Sequence, residues 1–131
     1  MSDHTQRTYD VCLRFFSDLA GLGVRSAVVS PGSRSSALAI AADVAGLDVT
    51  MQLDERVAGF HALGQAKASG LPPVLICTSG TAGANYLPAI IEANHAGVPL
   101  IVCTADRAPE LRHWGAGQTI DQLHLYGSHV R

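Results

Sequence analysis

The feature that most constrains this chain is a repeated order: a short apolar run, a polar loop, then a helical pattern. The first run, Ser26-Ala27-Val28-Val29, stops at Ser30-Pro31-Gly32-Ser33-Arg34-Ser35, and an Ala-rich helical stretch covers 36–47. The order then recurs. Residues 49–53 lead through Asp54-Glu55-Arg56 into a helix ending at Ser69. Residues 74–77 lead through Thr78-Ser79-Gly80-Thr81 into a helix reaching His95. Residues 100–104 lead into Ala105-Asp106-Arg107. Before all of these, Val11, Cys12, Phe15, Phe16 and Leu19 recur at helical spacing over 9–22, and Gly21 and Gly23 end the pattern. Pro72, Pro73 and Pro99 fall just before strands, where a missing N–H matters little. Pro88 falls inside a helical pattern and predicts a kink or a later helix start.

Apolar strands alternating with helices predict an α/β fold, a parallel sheet with helices on both faces in three α/β/α layers. Past Arg107 the periodicity fades. Gly115-Ala116-Gly117 reads as a loop, 119–125 as a short helix, and Val130 as the start of a strand. With no closing element, the chain reads as one domain, 1–131, of a longer polypeptide.

Size and composition set bounds. A chain of 131 residues buries a core without disulfides or metal. Hydrophobic residues make up 47% and charged residues 15%, which predicts a dry interior or an apolar surface covered by a partner. The formal net charge of -2 gives no basic footprint for nucleic acid. Cys12, Cys77 and Cys103 sit in apolar runs without a C-x-x-C pair, so they read as buried free thiols in a reducing compartment. The polar start lacks the apolar region of a signal peptide, and no apolar run has membrane-spanning length. A cytoplasmic protein is expected.

In open α/β sheets, ligands bind beyond the carboxyl ends of the strands. Here those ends read S-P-G-S-R-S, D-E-R, T-S-G-T and A-D-R, while the opposite loops are Gly, Pro and Ala turns. Helix capping accounts for part of this polarity, and Ser35 and Asp54 are assigned to it. It does not account for Arg34 and Arg107. An arginine beside helix N-termini attracts anions, so a carboxylate or phosphate ligand competes with surface ion pairing as the explanation. Glu55 sits where a strand turns into a helix. Helix-start electrostatics suffice to explain a carboxylate there, and the functional alternative is a partly buried acid that moves a proton. There is no G-x-x-x-x-G-K-[ST] loop and no G-x-S-x-G elbow. The six histidines are scattered without zinc-ligand spacing, so no metal site is expected in this chain.

Taken together, the series S-P-G-S-R-S (30–35), D-E-R (54–56), T-S-G-T-A (78–82), T-A-D-R-A-P-E-L (104–111) and G-A-G-Q-T-I (115–120) resembles a known family. It is similar to the menaquinone-pathway carboligases of the thiamine-diphosphate-dependent superfamily, the 2-succinyl-5-enolpyruvyl-6-hydroxy-3-cyclohexene-1-carboxylate synthases. The match runs in order from Arg14 to the end, and P-G-S-R-S and A-D-R-x-P-E-L are its specific parts.

The resemblance implies the amino-terminal, pyrimidine-binding domain of a thiamine-diphosphate-binding fold. A middle domain and a diphosphate-binding domain would complete the enzyme, and the latter would hold Mg²⁺ or Mn²⁺. It implies decarboxylation of 2-oxoglutarate and addition of the succinyl carbanion equivalent to isochorismate. Glu55 would bind ring nitrogen N1′ of the cofactor and drive its proton relay. Thr78, Ser79, Gly80 and Thr81 would lie beside the pyrimidine ring. Ser33, Arg34, Arg107 and Gln118 would bind substrate. The family usually carries Asn where this chain has Gly117, so a side-chain hydrogen bond is lost there. A homo-oligomer, dimer or dimer of dimers, would form each site between subunits. Two other readings remain: an acetolactate-synthase-like enzyme, which would keep Glu55 but not the two specific motifs, and a non-catalytic assembly domain of the same fold.

Overall fold

The computed structural model describes residues 3–131. Its helices are α1 (Asp3–Gly21), α2 (Ser36–Val44), α3 (Glu55–Ser69), α4 (Thr81–Ala84) and α5 (Leu87–Ala96). Its strands are β1 (Ser26–Val29), β2 (Asp48–Met51), β3 (Val74–Cys77) and β4 (Ile101–Thr104). The strands form one parallel sheet in the order β2-β1-β3-β4. The predicted α/β architecture is what the chain adopts.

Alternation along the strands builds two cores. Ala27, Val29, Val74 and Ile76 point to one face, where Phe16, Ala41, Ala42 and Leu47 cover them. Val28, Leu75 and Cys77 point to the other, against Ala58, Ala62, Tyr86 and Ile90. The period-2 direction of strand side chains explains how one apolar run serves both layers. Accordingly α1 packs on α2, and α3 packs on α5. Tyr86 is fully buried, and its hydroxyl donates to the Ile76 carbonyl at 3.0 Å, which satisfies both groups in the dry interior.

Several boundaries differ from the sequence reading. α1 begins at Asp3 rather than at 9, because its first turns are polar and held by pairs such as Arg7–Asp3 and Gln6–Asp10. β2 covers Asp48–Met51 rather than 49–53. Its pairing with β1 ends at the bond from Gln52 N to Val29 O, and Leu53 is 85% exposed. α2 stops at Val44 rather than 47. The third long helical pattern is two helices, and Pro88 lies in the first turn of α5, as a later helix start requires.

The helix expected over 119–125 does not form. Gln118 and His124 have positive φ, 60° and 56°, which a right-handed helix excludes, and the segment ends in a 3-10 turn, Gly127–His129. Val130 is extended but belongs to no strand among the described residues. Of the three cysteines only Cys77 is buried outright; Cys12 and Cys103 are half-buried. The apolar surplus is partly on the surface, where Ile40, Val44, Met51, Val57 and Phe60 are each more than half exposed.

The chain steps from β1 outward to β2, then crosses back over β1 to β3. A right-handed crossover in each direction puts α2 and α3 on opposite faces. The loops after β1 and β3 therefore part at a topological switch point, where open α/β sheets form their crevice. The two neighbouring phenylalanines of α1 test which face carries the stability. Phe16 is fully buried and Phe15 is 41% exposed. Phe16→Ala is expected to cost about 3–5 kcal/mol and Phe15→Ala no more than about 1.5 kcal/mol, read from urea unfolding.

Candidate functional site

The switch-point loops meet closely. A Cβ on Gly32 would lie 2.4 Å from the Thr78 Cβ, so a side chain there has no room. The turn Ser33–Ser35 folds tightly behind Gly32. Ser35 stands at the N-cap position of α2 but does not cap it: its hydroxyl donates to the Gly32 carbonyl at 3.0 Å. Likewise the Ser36 hydroxyl donates to the Ser33 carbonyl at 2.9 Å. The capping role expected for Ser35 is thus replaced by bracing of the loop.

That bracing turns Arg34 across the crevice. Its Nη1 donates to Gln118 Oε1 at 2.8 Å and to Ser79 Oγ at 3.3 Å. Ser79 Oγ donates to the Gln118 carbonyl at 2.8 Å, and Gln118 Nε2 reaches Thr78 Oγ1 at 3.5 Å. Four residues singled out in the sequence, Arg34, Thr78, Ser79 and Gln118, are therefore one hydrogen-bonded cluster. Gly80 adopts φ 83°, and a Cβ there would press on Gln118 at 3.1 Å, so the β3 loop and the 117–122 segment fit only with glycine.

Arg107 joins from the β4 loop. Its Nη2 donates to the Gly117 carbonyl at 2.7 Å, while its Nε is buried without a partner. Gly117 thus contributes through its backbone. Asp106 steadies this loop: it accepts from the Arg107 N–H at 2.7 Å and pairs with Arg112 at 2.6 Å. Ser33 and Thr81 are exposed at the rim, and their side chains make no hydrogen bond among the described residues.

Glu55 is not part of this hydrogen-bonded cluster; it opens α3, just after edge strand β2. Asp54 is the N-cap of α3, as expected, accepting from Arg56 N at 2.9 Å. Hydrogen bonds from the Arg56 side chain and backbone hold the Asp54 carboxyl down at about 2. Because Asp54 performs the capping, Glu55 is left half-buried with a carboxylate that accepts no hydrogen bond among the described residues. Burial pushes the Cys77 thiol up to about 12, and the Glu55 charge adds to that rise and to the rise at Tyr86.

Two contributors escaped the sequence reading. Gln122 spans the β3 and β4 loops, and Asp106 pairs with Arg112. The nearest signal was a second glutamine four residues after Gln118 in a segment without periodicity. Among the described residues no group of three or more His, Cys, Asp or Glu side chains is placed to hold a metal ion.

A parallel sheet with a polar crevice at its switch point and an unengaged acid at the next helix start defines a ligand-binding α/β domain. Its family follows from comparison. The model of the thiamine pyrophosphate enzyme N-terminal TPP binding domain matches residues 14–125, and the chain belongs to that family. The whole chain is 55% identical to the 2-succinyl-5-enolpyruvyl-6-hydroxy-3-cyclohexene-1-carboxylate synthase of Listeria innocua, covering 23% of that protein. The proteins of the same name from Gloeothece citriformis and Synechococcus elongatus are 61% and 62% identical over 82% and 83% of this chain, and 19% of each relative. The chain thus spans about a quarter or less of the length of these relatives.

The loop contact yields a stability test. Gly32→Ala is expected to destabilise by about 1–3 kcal/mol or more, because the Thr78 Cβ it meets cannot rotate away. A double-mutant cycle with Thr78→Gly checks this: the two changes should couple strongly, and additive costs would contradict the contact.

Proposed function

We propose that this chain is the aminopyrimidine-binding domain of a larger thiamine-diphosphate-dependent carboligase, a 2-succinyl-5-enolpyruvyl-6-hydroxy-3-cyclohexene-1-carboxylate synthase. The reaction is decarboxylation of 2-oxoglutarate and addition of the succinyl unit to isochorismate. The observation that carries this reading is the placing of two guanidiniums, Arg34 and Arg107, from the β1 and β4 loops against Gln118 and the Gly117 carbonyl, on either side of β3. Each of the two substrates carries two carboxylates, and guanidinium forks match that geometry.

The residues present fit the cofactor's ring end. Glu55 has a half-buried carboxylate at the start of α3 that accepts no hydrogen bond among the described residues, free to meet a ring nitrogen. When bound, thiamine diphosphate supplies the electron sink for decarboxylation. Glu55 would hold ring nitrogen N1′ through its carboxyl and set the position of the relay proton. Thr78, Ser79, Gly80 and Thr81 form the wall beside the ring. Arg34 and Arg107 bind substrate carboxylates, Gln118 orients them, and Ser33 contributes from the rim. The Mg²⁺ or Mn²⁺ ion belongs to the diphosphate-binding domain, and a neighbouring subunit of a homodimer or dimer of dimers completes the site. A cytoplasmic location suits such an enzyme, and no helix among the described residues is long and apolar enough to cross a membrane.

The test is an assay of the whole enzyme containing this chain, with thiamine diphosphate and Mg²⁺. Turnover of 2-oxoglutarate with isochorismate is expected, and none by residues 1–131 alone; turnover of pyruvate instead would contradict the reading. Arg107→Ala is expected to raise the substrate KM by about 10- to 100-fold, the worth of a charged hydrogen bond.

A further inference from the structure

The segment from Gln118 to Tyr126 has little secondary structure of its own, yet it is fastened to the β3–α4 region at three points. Ser79 Oγ donates to the Gln118 carbonyl at 2.8 Å. Gln122 Oε1 accepts from the Gly80 N–H at 2.9 Å. The Tyr126 hydroxyl donates to the Gly83 carbonyl at 2.9 Å. The fastenings fall at residues 118, 122 and 126, and the middle one also reaches the β4 loop. Gln122 Nε2 donates to the Ala105 carbonyl at 3.1 Å and to Thr104 Oγ1 at 3.4 Å.

A single carboxamide thus spans the carboxyl ends of β3 and β4 from the segment that carries Gln118. An amide suits this role: it offers an acceptor to one loop and donors to the other at once. Gln118 needs such support. It has φ 60°, a sparsely populated conformation for a side chain of its size, and persists only where its surroundings fix it. The Gln118 side chain in turn holds Arg34, and the adjacent Gly117 carbonyl holds Arg107.

We propose that Gln122 is a positioning residue: its carboxamide clamps the 117–122 segment to the β3 and β4 loops and so fixes Gln118, Arg34 and Arg107 for substrate binding. The clamp is a property of this fold, whereas its consequence for substrate rests on the function proposed above. Gln122 touches no reacting atom in that scheme. Its loss loosens the anion-binding side of the crevice and leaves Glu55, on another loop, in place.

Gln122→Met tests this in the whole enzyme, since methionine keeps the length and bulk but not the hydrogen bonds. Hydrogen–deuterium exchange should quicken in peptides covering 78–84 and 117–122. The substrate KM should rise by about tenfold or more with kcat within about threefold. Gln122→Glu keeps the acceptor for Gly80 and loses the donor to Ala105, so its KM should lie between the two. Unchanged exchange in the Met variant, or loss of kcat with an unchanged KM, overturns the clamp. Faster exchange in an enzyme whose wild type turns over neither 2-oxoglutarate nor isochorismate upholds the clamp and overturns the proposed reaction.

Discussion

The contact between Gly32 and Thr78 sets the geometry on which the site depends. The β1 and β3 loops leave neighbouring strands and head for opposite faces of the sheet, so nothing in the layer packing alone keeps them together. At this one point they approach too closely for any side chain on residue 32. The hydroxyls of Ser35 and Ser36 are spent on bracing the turn behind the contact. From there Arg34 has a short reach to Ser79 and Gln118, and the polar crevice follows. A sheet buried on both faces supplies the rigid base that such a loop site needs.

A division of labour at the start of α3 separates structure from chemistry. Adjacent carboxylates at a helix N-terminus could share one role. Here Asp54 takes the capping bond and the Arg56 side chain together, which holds it ionised. Glu55 is thereby freed, half-buried and without a hydrogen bond among the described residues. The same exchange of roles recurs at the β4 loop, where Asp106 neutralises Arg112 and leaves the Arg107 side chain to the crevice.

Much of the framework was legible in the sequence because local pattern and tertiary role agree. The bounds of β1 and β3, central strands with apolar residues facing two cores, were read to the residue. Edge strand β2 was misplaced by one or two residues, since its exposed end carries the apolar Leu53. The segment 119–125 was misread because its hydrogen bonds go to distant loops rather than along its own backbone, so spacing within it carries no signal. The same cause hid Gln122 and the Asp106–Arg112 pair. Polarity at the strand ends pointed to the loops where Arg34, Ser79 and Gln118 meet. The grouping of Arg34 with Gln118, 84 residues apart, came from family resemblance and from the fold, not from periodicity.

The central claim is that Glu55 is the acid that serves the cofactor ring, freed for that work by Asp54. It is tested most directly by proton exchange at C2 of thiamine diphosphate bound to the whole enzyme, comparing wild type with Glu55→Gln. The account predicts that exchange slows by at least about a hundredfold in the variant, at the level of a removed general acid–base group, while the fold is retained. Near-normal exchange in a folded, cofactor-bound Glu55→Gln enzyme would contradict it.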